Sequence, residues 1–333
     1  MTVKLAINGF GRIGRTLLRA IFETGRDDLE VVAINDLGPV ETNAHLLRFD
    51  SVHGRFAGTV RTGEDWIDAG RGPIRVTAMR DPADLPWDDV DVALECTGVF
   101  TDRDKAALLL KAGASRVLVS APSKGADQTV VYGVNHDVLG PGDRVVSNAS
   151  CTTNCLAPVA SVLHDAIGIR RGFMTTIHSY TGDQPTLDTY HKDLYRGRAA
   201  ALSMIPTTTG AAKAVGLVLP ALAGKLDGAA IRVPTPNVSV IDFGFEAARD
   251  TSVDEINAAL TSASRGALRG ILGVTEHPNV SADFNHDAHS AVAHLDQTRV
   301  LEATLCRVLA WYDNEWGFSC RMLDTAAAMG RLD

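Results

Sequence analysis

A short apolar run over residues 3–8 is followed at once by Gly9-Phe10-Gly11-Arg12-Ile13-Gly14. An apolar stretch at helical spacing comes next, through Leu17, Leu18 and Ile21. A second apolar run, Leu29 to Asn35, then ends at Asp36. Strand, glycine turn, helix, strand and acidic residue in this order predict a βαβ unit with parallel strands and the complete dinucleotide fingerprint. Each glycine has a separate task. Gly9 permits the tight turn, Gly11 lets the backbone approach a pyrophosphate, and Gly14 lets helix and strand pack closely. The pyrophosphate would rest on the N–H groups at the helix start, and Asp36 would accept hydrogen bonds from a ribose.

The alternation continues. Strands are predicted at 74–78, 90–96, 116–120 and 130–133, with a helix from Thr101, as N-cap, to Ala112. Thr97 and Ser120 fall at strand ends, the edge where open α/β sheets bind ligands. The first half therefore reads as a doubly wound, mostly parallel Rossmann sheet. Trp66, Pro86 and Trp87 lie among turn signals and are read as surface packing. Beyond residue 150 the texture changes. Strands at 172–180, 228–233, 238–245 and 304–311 follow one another closely, helices are read at 252–267 and from about 316, and Pro206 to Gly210 opens another. This predicts a second α+β domain with a mixed sheet. The stretch from Gly182 to Arg198 lacks periodicity and carries many charges, as functional or interfacial loops do. The division expected is a dinucleotide-binding domain over 1–150, a catalytic domain over 151–315, and a C-terminal helix of about 316–333 packing back on the first.

Chemistry concentrates at Ser147-Asn148-Ala149-Ser150-Cys151-Thr152-Thr153-Asn154-Cys155. Small capping residues precede Cys151, and Leu156, Ala157, Val159, Ala160 and Leu163 recur after it at helical spacing. Cys151 is therefore expected in a helix's first turn, where unpaired N–H groups and the macrodipole lower a thiol pKa and favour the nucleophilic thiolate. His178, near the end of a strand, is the candidate base.

The composition excludes several alternatives. A chain of 333 residues suggests about two domains. A net charge of -8 without basic clusters argues against nucleic acid, and no apolar run is long enough for a membrane span. The apolar part of the N-terminus is too short for a signal peptide. Five scattered cysteines suit reduced thiols in cytoplasm better than a disulfide framework. His286-Asp287-Ala288-His289 has no further ligand cluster around it, so no metal is expected.

Three blocks together resemble the phosphorylating glyceraldehyde-3-phosphate dehydrogenases. They are the Cys151 segment, Asn8 to Arg15, and Trp311-Tyr312-Asp313-Asn314-Glu315-Trp316-Gly317. Ile205 to Gly216 and Arg232 to Ser239 support the match, in family order and across both halves. The resemblance implies oxidation of D-glyceraldehyde 3-phosphate to 1,3-bisphosphoglycerate with NAD, through a thiohemiacetal and thioester on Cys151, with His178 as base. It implies that Thr181 and Arg232 hold the substrate phosphate. Ser150, Thr152, Thr209 and Gly210 would line the inorganic phosphate site, with Arg196 nearby. Arg12 and Ile13 would contact the pyrophosphate, Arg80, Thr97 and Ser120 other parts of the dinucleotide, and Asn314 the nicotinamide carboxamide. A homotetramer is also implied. Many NAD-specific relatives carry Leu-Pro where this chain has Thr189-Tyr190, but Asp36 followed by Leu37 favours NAD, since a carboxylate repels a 2′-phosphate. Alternatives are erythrose-4-phosphate dehydrogenase, disfavoured by Thr181 and Thr209-Gly210, and the semialdehyde dehydrogenases, disfavoured by the Trp311–Gly317 block. A non-catalytic NAD-binding redox sensor using Cys151 is a third.

Overall fold

The computed structural model describes residues 2–332. Met1 and Asp333, the outer ends of the predicted first domain and last helix, lie outside the described residues. The chain divides into two compact units. One comprises residues up to Tyr132, His136–Ser150 and those from Ser319 onward; the other comprises Gly133–Asn135 and Cys151–Phe318.

In the first unit, the apolar runs become strands buried on both faces, as parallel sheets require. The sheet runs in the order Gln128–Thr129, Val145–Ser147, Arg116–Val119, Val92–Glu95, Val3–Asn8, Leu29–Asn35, Pro73–Thr77, Trp66–Asp68, Arg61–Thr62. Every pairing from Gln128–Thr129 to Pro73–Thr77 is parallel. Only the last two strands add antiparallel. Val3–Asn8 has Leu29–Asn35 on one side and Val92–Glu95 on the other, so the strand order reverses there and a crevice opens at the strand C-termini.

The glycines sit where that crevice needs them. Gly9 has φ +91, and a Cβ on it would lie 2.8 Å from the Thr97 backbone N. A Cβ on Gly14 would lie 2.2 Å from the Gly9 carbonyl oxygen, a backbone atom that cannot swing aside. Gly14→Ala is therefore expected to push the helix Arg12–Glu23 off the strand and lower the thermal midpoint by roughly 4–10 °C. A midpoint unchanged in a melting experiment would show that the turn accommodates the methyl.

Several local expectations change. The helix predicted from Thr101 begins after Asp102 and consists of two single turns, Arg103–Ala106 and Leu108–Lys111. It is interrupted because the Leu110 N–H turns to the Ala107 carbonyl, three residues back. No strand occupies 130–133, since pairing ends at Thr129 and the chain turns at Gly133 (φ +87). The apolarity of Val130 and Val131 there reports burial, not sheet. Trp87 is not surface packing: it is 1% exposed, in a core with Leu85, Val90, Leu109 and Val117. Its backbone N–H donates to the Ala112 carbonyl, which draws the turn inward. The C-terminal helix spans Trp316–Met329. Within this unit Asp324 pairs with Arg26 at 2.7 Å, and the Leu332 carbonyl accepts from Arg116.

The second unit is built on a mixed eight-stranded sheet. Its main path is Ile205–Thr207, Leu226–Val233, Ile169–Ser179, Ser239–Ala247, Leu305–Tyr312, Ala291–His294, Leu272–Thr275, with Arg299–Leu301 beside Leu305–Tyr312. Ile169–Ser179 runs parallel to Leu226–Val233 and antiparallel to Ser239–Ala247. The helix Cys151–Ile167 packs on the central strands, flanked by Ala211–Val218 and Val253–Arg265. Period-2 alternation puts Met174, Thr176 and His178 among the buried residues, while Phe173 and Ile177 are exposed. Pro206 and Thr207, expected to open a helix, lie instead in the short strand Ile205–Thr207, which pairs at the sheet edge, where a proline is tolerated, and the helix starts at Ala211.

Candidate active site

Cys151 is the first residue of the helix Cys151–Ile167. Two residues earlier Ala149 has φ 54, in the left-handed region that a residue with a Cβ rarely adopts. That conformation turns the chain sharply enough to present the next residues at a helix start. Parallel register then sets His178 opposite Arg232. The result is a Cys151 Sγ 3.4 Å from His178 Nε2.

The other side of the imidazole decides what Nε2 can do. Nδ1 lies 2.7 Å from the Ser179 carbonyl oxygen, an acceptor only, so Nδ1 carries the proton and donates it. Arg232 Nη1 has two protons, and they are satisfied by the Ser179 carbonyl at 3.0 Å and Thr181 Oγ1 at 2.9 Å. Its 3.1 Å approach to Nδ1 is then a packing contact, and Nε2 keeps a free lone pair facing sulfur. Burial and the positive charge of Arg232 push His178 down to about 3, so the ring is neutral at physiological pH.

The thiol departs from expectation. Burial raises the Cys151 pKa above its ordinary value, and the opposing pull of Arg232 and of donors from Thr152 does not overcome it. The helix start was expected to win; desolvation of a sulfur anion outweighs it. Burial thus disfavours the thiolate and the imidazolium taken singly, and a proton crossing from Sγ to Nε2 forms the two charges together, 3.4 Å apart.

Arg232 makes no ion pair with any carboxylate among the described residues, and its Nε lacks a hydrogen-bond partner. A half-buried guanidinium in that condition is a receptor for an external anion. Thr181 accepts from it and donates to Asp183, and Arg196 Nη1 reaches Asp183 at 3.3 Å while its Nε reaches Thr207 at 3.0 Å. Thr181, Arg196 and Arg232 therefore belong to one polar chain that ends at the Cys151–His178 pair. Thr209 Oγ1 accepts from the Ala211 N–H, with Gly210 as N-cap of Ala211–Val218, and Thr153 Oγ1 ties this helix start to that of Cys151. Ser150 immediately precedes Cys151. The Thr152 hydroxyl lies 2.8 Å from Tyr312 Oη, in the interior.

Tyr312 carried no signal as a separate residue. Its hydroxyl joins Thr152 on the helix to Thr176, at 2.9 Å, on the strand of His178, and its ring stands edge-on to the imidazole. Ser179, Ser239 and Asp183 also went unnoticed. Strand pairing brings Ser179 and Ser239 together, and the loop after Ser179 carries Asp183 to Thr181 and Arg196.

In the first unit, Asn8, Gly9, Gly11, Asp36, Leu37, Arg80, Cys96, Thr97 and Val99 line a crevice of about 420 Å³. Gly11, the N-cap of Arg12–Glu23, supplies no side-chain cap, and a Cβ there would meet nothing within 4 Å. The helix start is thus open to a pyrophosphate. The Arg12 guanidinium is held by Asp50 at 2.5 Å, which leaves the backbone N–H groups of Arg12 and Ile13 as the donors for an anion. Asp36 Oδ2 accepts from the Phe10 N–H and Oδ1 from the Gly38 N–H, each at 2.8 Å, leaving further lone pairs for ribose hydroxyls. Ser120 follows the strand Arg116–Val119, and its N–H donates to the Glu95 carbonyl. These residues fit a dinucleotide. In the second unit, Asn314 is 5% exposed.

Comparison with known proteins identifies the family. Residues 3–103 match the family model for the glyceraldehyde 3-phosphate dehydrogenase NAD binding domain, and residues 150–314 that for its C-terminal domain. The chain is 73% identical over 332 residues to the glyceraldehyde-3-phosphate dehydrogenase of Cereibacter sphaeroides, with 100% of each chain covered. It is also 73% identical over 334 residues to that of Xanthobacter flavus, again with 100% of each covered. With that of Pseudomonas aeruginosa it shares 59% over 333 residues, covering 99% of this chain and 98% of the other.

Proposed function

Since the chain belongs to the glyceraldehyde 3-phosphate dehydrogenase family, we propose that it oxidises D-glyceraldehyde 3-phosphate to 1,3-bisphosphoglycerate, using NAD and inorganic phosphate. One observation carries this reading: a thiol 3.4 Å from an acceptor nitrogen, beside an arginine without a carboxylate partner. A nucleophile, a proton acceptor and a receptor for an anionic substrate are the parts the reaction needs.

Cys151 Sγ passes its proton to His178 Nε2 and bonds to the aldehyde carbon. His178 Nε2 returns that proton to the carbonyl oxygen, so that a thiohemiacetal results and the ring is again a neutral base. The Cys151 backbone N–H, at the helix start, stabilises the developing oxyanion. NAD, when bound, supplies the hydride acceptor. His178 Nε2 removes the hydroxyl proton as the hydride departs, and a thioester remains on Cys151. An oxygen of inorganic phosphate then attacks the thioester carbon, the carbon–sulfur bond breaks, His178 Nε2 returns its proton to the departing sulfur, and acyl phosphate leaves with the Cys151 thiol restored. The thioester conserves the oxidation energy that hydrolysis would dissipate.

Thr181 and Arg232 hold the substrate phosphate, and Ser150, Thr152, Thr209 and Gly210 line the site of the attacking phosphate, with Arg196 nearby. Asn314 holds the nicotinamide carboxamide. The long loop supports assembly of a homotetramer: Leu187, Tyr190, Leu194, Leu202 and Met204 are 76–91% exposed, an apolar surface that a second copy of this chain would cover. Cytoplasmic residence is supported by five free cysteines. Among the described residues no helix is long and apolar enough to cross a membrane.

The test is direct. Purified protein with NAD, glyceraldehyde 3-phosphate and inorganic phosphate should form NADH at 340 nm, with lower efficiency on NADP and on erythrose 4-phosphate. Turnover that ignored phosphate, or its absence altogether, would sink the proposal.

A further inference from the structure

The polar connections of the residue after the base lead in different directions. The Ser179 carbonyl accepts from His178 Nδ1 at 2.7 Å and Arg232 Nη1 at 3.0 Å. Its N–H donates to Ser239 Oγ at 3.1 Å, and its hydroxyl donates to Asn314 Oδ1 at 2.8 Å. Ser239, having accepted from that N–H, donates its own proton to the same Oδ1 at 2.9 Å. Ser179, Ser239 and Asn314 are all at most 5% exposed.

A primary amide has nearly the same shape when its oxygen and nitrogen exchange places, so packing alone cannot choose between the two orientations. In the structure the oxygen is the inner atom, placed between two hydroxyls. Two hydroxyls converging on Oδ1 hold the Asn314 oxygen inward and leave Nδ2, which has no acceptor among the described residues, as the group on offer. Ser239 is aimed there by Val238, whose φ of 68 is unusual for a β-branched residue and persists only where surrounding contacts impose it.

We propose that Ser179 is a positioning residue joining the two halves of the redox chemistry. Its carbonyl fixes the tautomer of the base, and its hydroxyl, with that of Ser239, fixes the Asn314 amide so that a donor faces the nicotinamide carboxamide. This rests on the dehydrogenase reading and on Asn314 as the carboxamide ligand.

The experiment compares equilibrium binding of NAD with that of ADP-ribose, which lacks only the nicotinamide. Ser179→Ala removes the hydroxyl and keeps the carbonyl. Its Kd for NAD should rise five- to tenfold, the loss of about one hydrogen bond, while its Kd for ADP-ribose stays within twofold. Alkylation of Cys151 by iodoacetamide in the cofactor-free protein should also stay within twofold, because the His178 tautomer is untouched. Ser239→Ala should behave alike for both ligands and carries the test should Ser179→Ala melt below the assay temperature. Unchanged NAD affinity in these variants, or equal weakening of NAD and ADP-ribose, overturns the proposal. Wild-type protein that bound neither ligand would overturn the dehydrogenase reading, and this inference with it.

Discussion

Cys151→Ser is expected to lower kcat by roughly four to six orders of magnitude, with the Kd for NAD changed less than about threefold. A serine hydroxyl is a far weaker acid than a thiol, and the base within reach is an imidazole that burial and Arg232 have driven down to about 3. That base can collect a proton from sulfur, where the ion pair formed at 3.4 Å recovers part of the cost, but not from an alcohol. Oxygen also gives an ester, which phosphate attacks much more slowly than a thioester. Cofactor affinity should persist, since the crevice residues Gly9, Gly11, Asp36 and Thr97 belong to the other compact unit. Steady-state turnover and NAD titration of the same preparation check both halves. A variant with even one per cent of wild-type turnover would exclude Cys151 as the nucleophile.

His178→Asn should lower kcat by about 10²–10⁴-fold and displace the pH dependence. In the wild-type site, burial disfavours the sulfur anion and the imidazolium separately, and their mutual attraction offsets both penalties. Asparagine cannot take the proton, so the thiol must release it to water, and burial holds that thiol above its ordinary value. The sign follows: less thiolate at a given pH, hence an acid limb moved towards alkaline pH. Iodoacetamide alkylation followed from pH 5 to 10 reads the thiolate directly, and stopped-flow NADH formation reads hydride transfer. An alkylation profile coincident with wild type would mean that His178 does not share the proton of Cys151.

Much of this site could be read in advance because its signals are local. The spacing Gly9-x-Gly11-x-x-Gly14 answers to one turn and one helix start, and Cys151 after Ser147 to Ser150 answers to another. Hydrophobic runs from Val3 to Asn8 and Leu29 to Asn35 reveal buried parallel strands by composition alone. Arg232 was expected to hold an anion only through the family resemblance. What remained hidden depends on pairing between distant segments. Tyr312 reaches Thr152 and Thr176 only because strands fold side by side, and Ser179 meets Asn314 across the same sheet. Turn-rich sequence around Trp87 concealed a core residue, since turn signals report backbone direction and not depth.

By itself the order of residues determined the two-part α/β architecture and the glycine turn, and it put a cysteine at a helix start as the candidate nucleophile, because backbone sterics and helix-end chemistry act over a few neighbouring positions. Tertiary structure decided the ionisation. Whether Cys151 rests as thiol or thiolate, and which nitrogen of His178 bears a proton, depends on burial, on Arg232 in a neighbouring strand and on the Ser179 carbonyl. Desolvation and charge are set by everything within several ångströms, and no local pattern of residues encodes that surrounding volume.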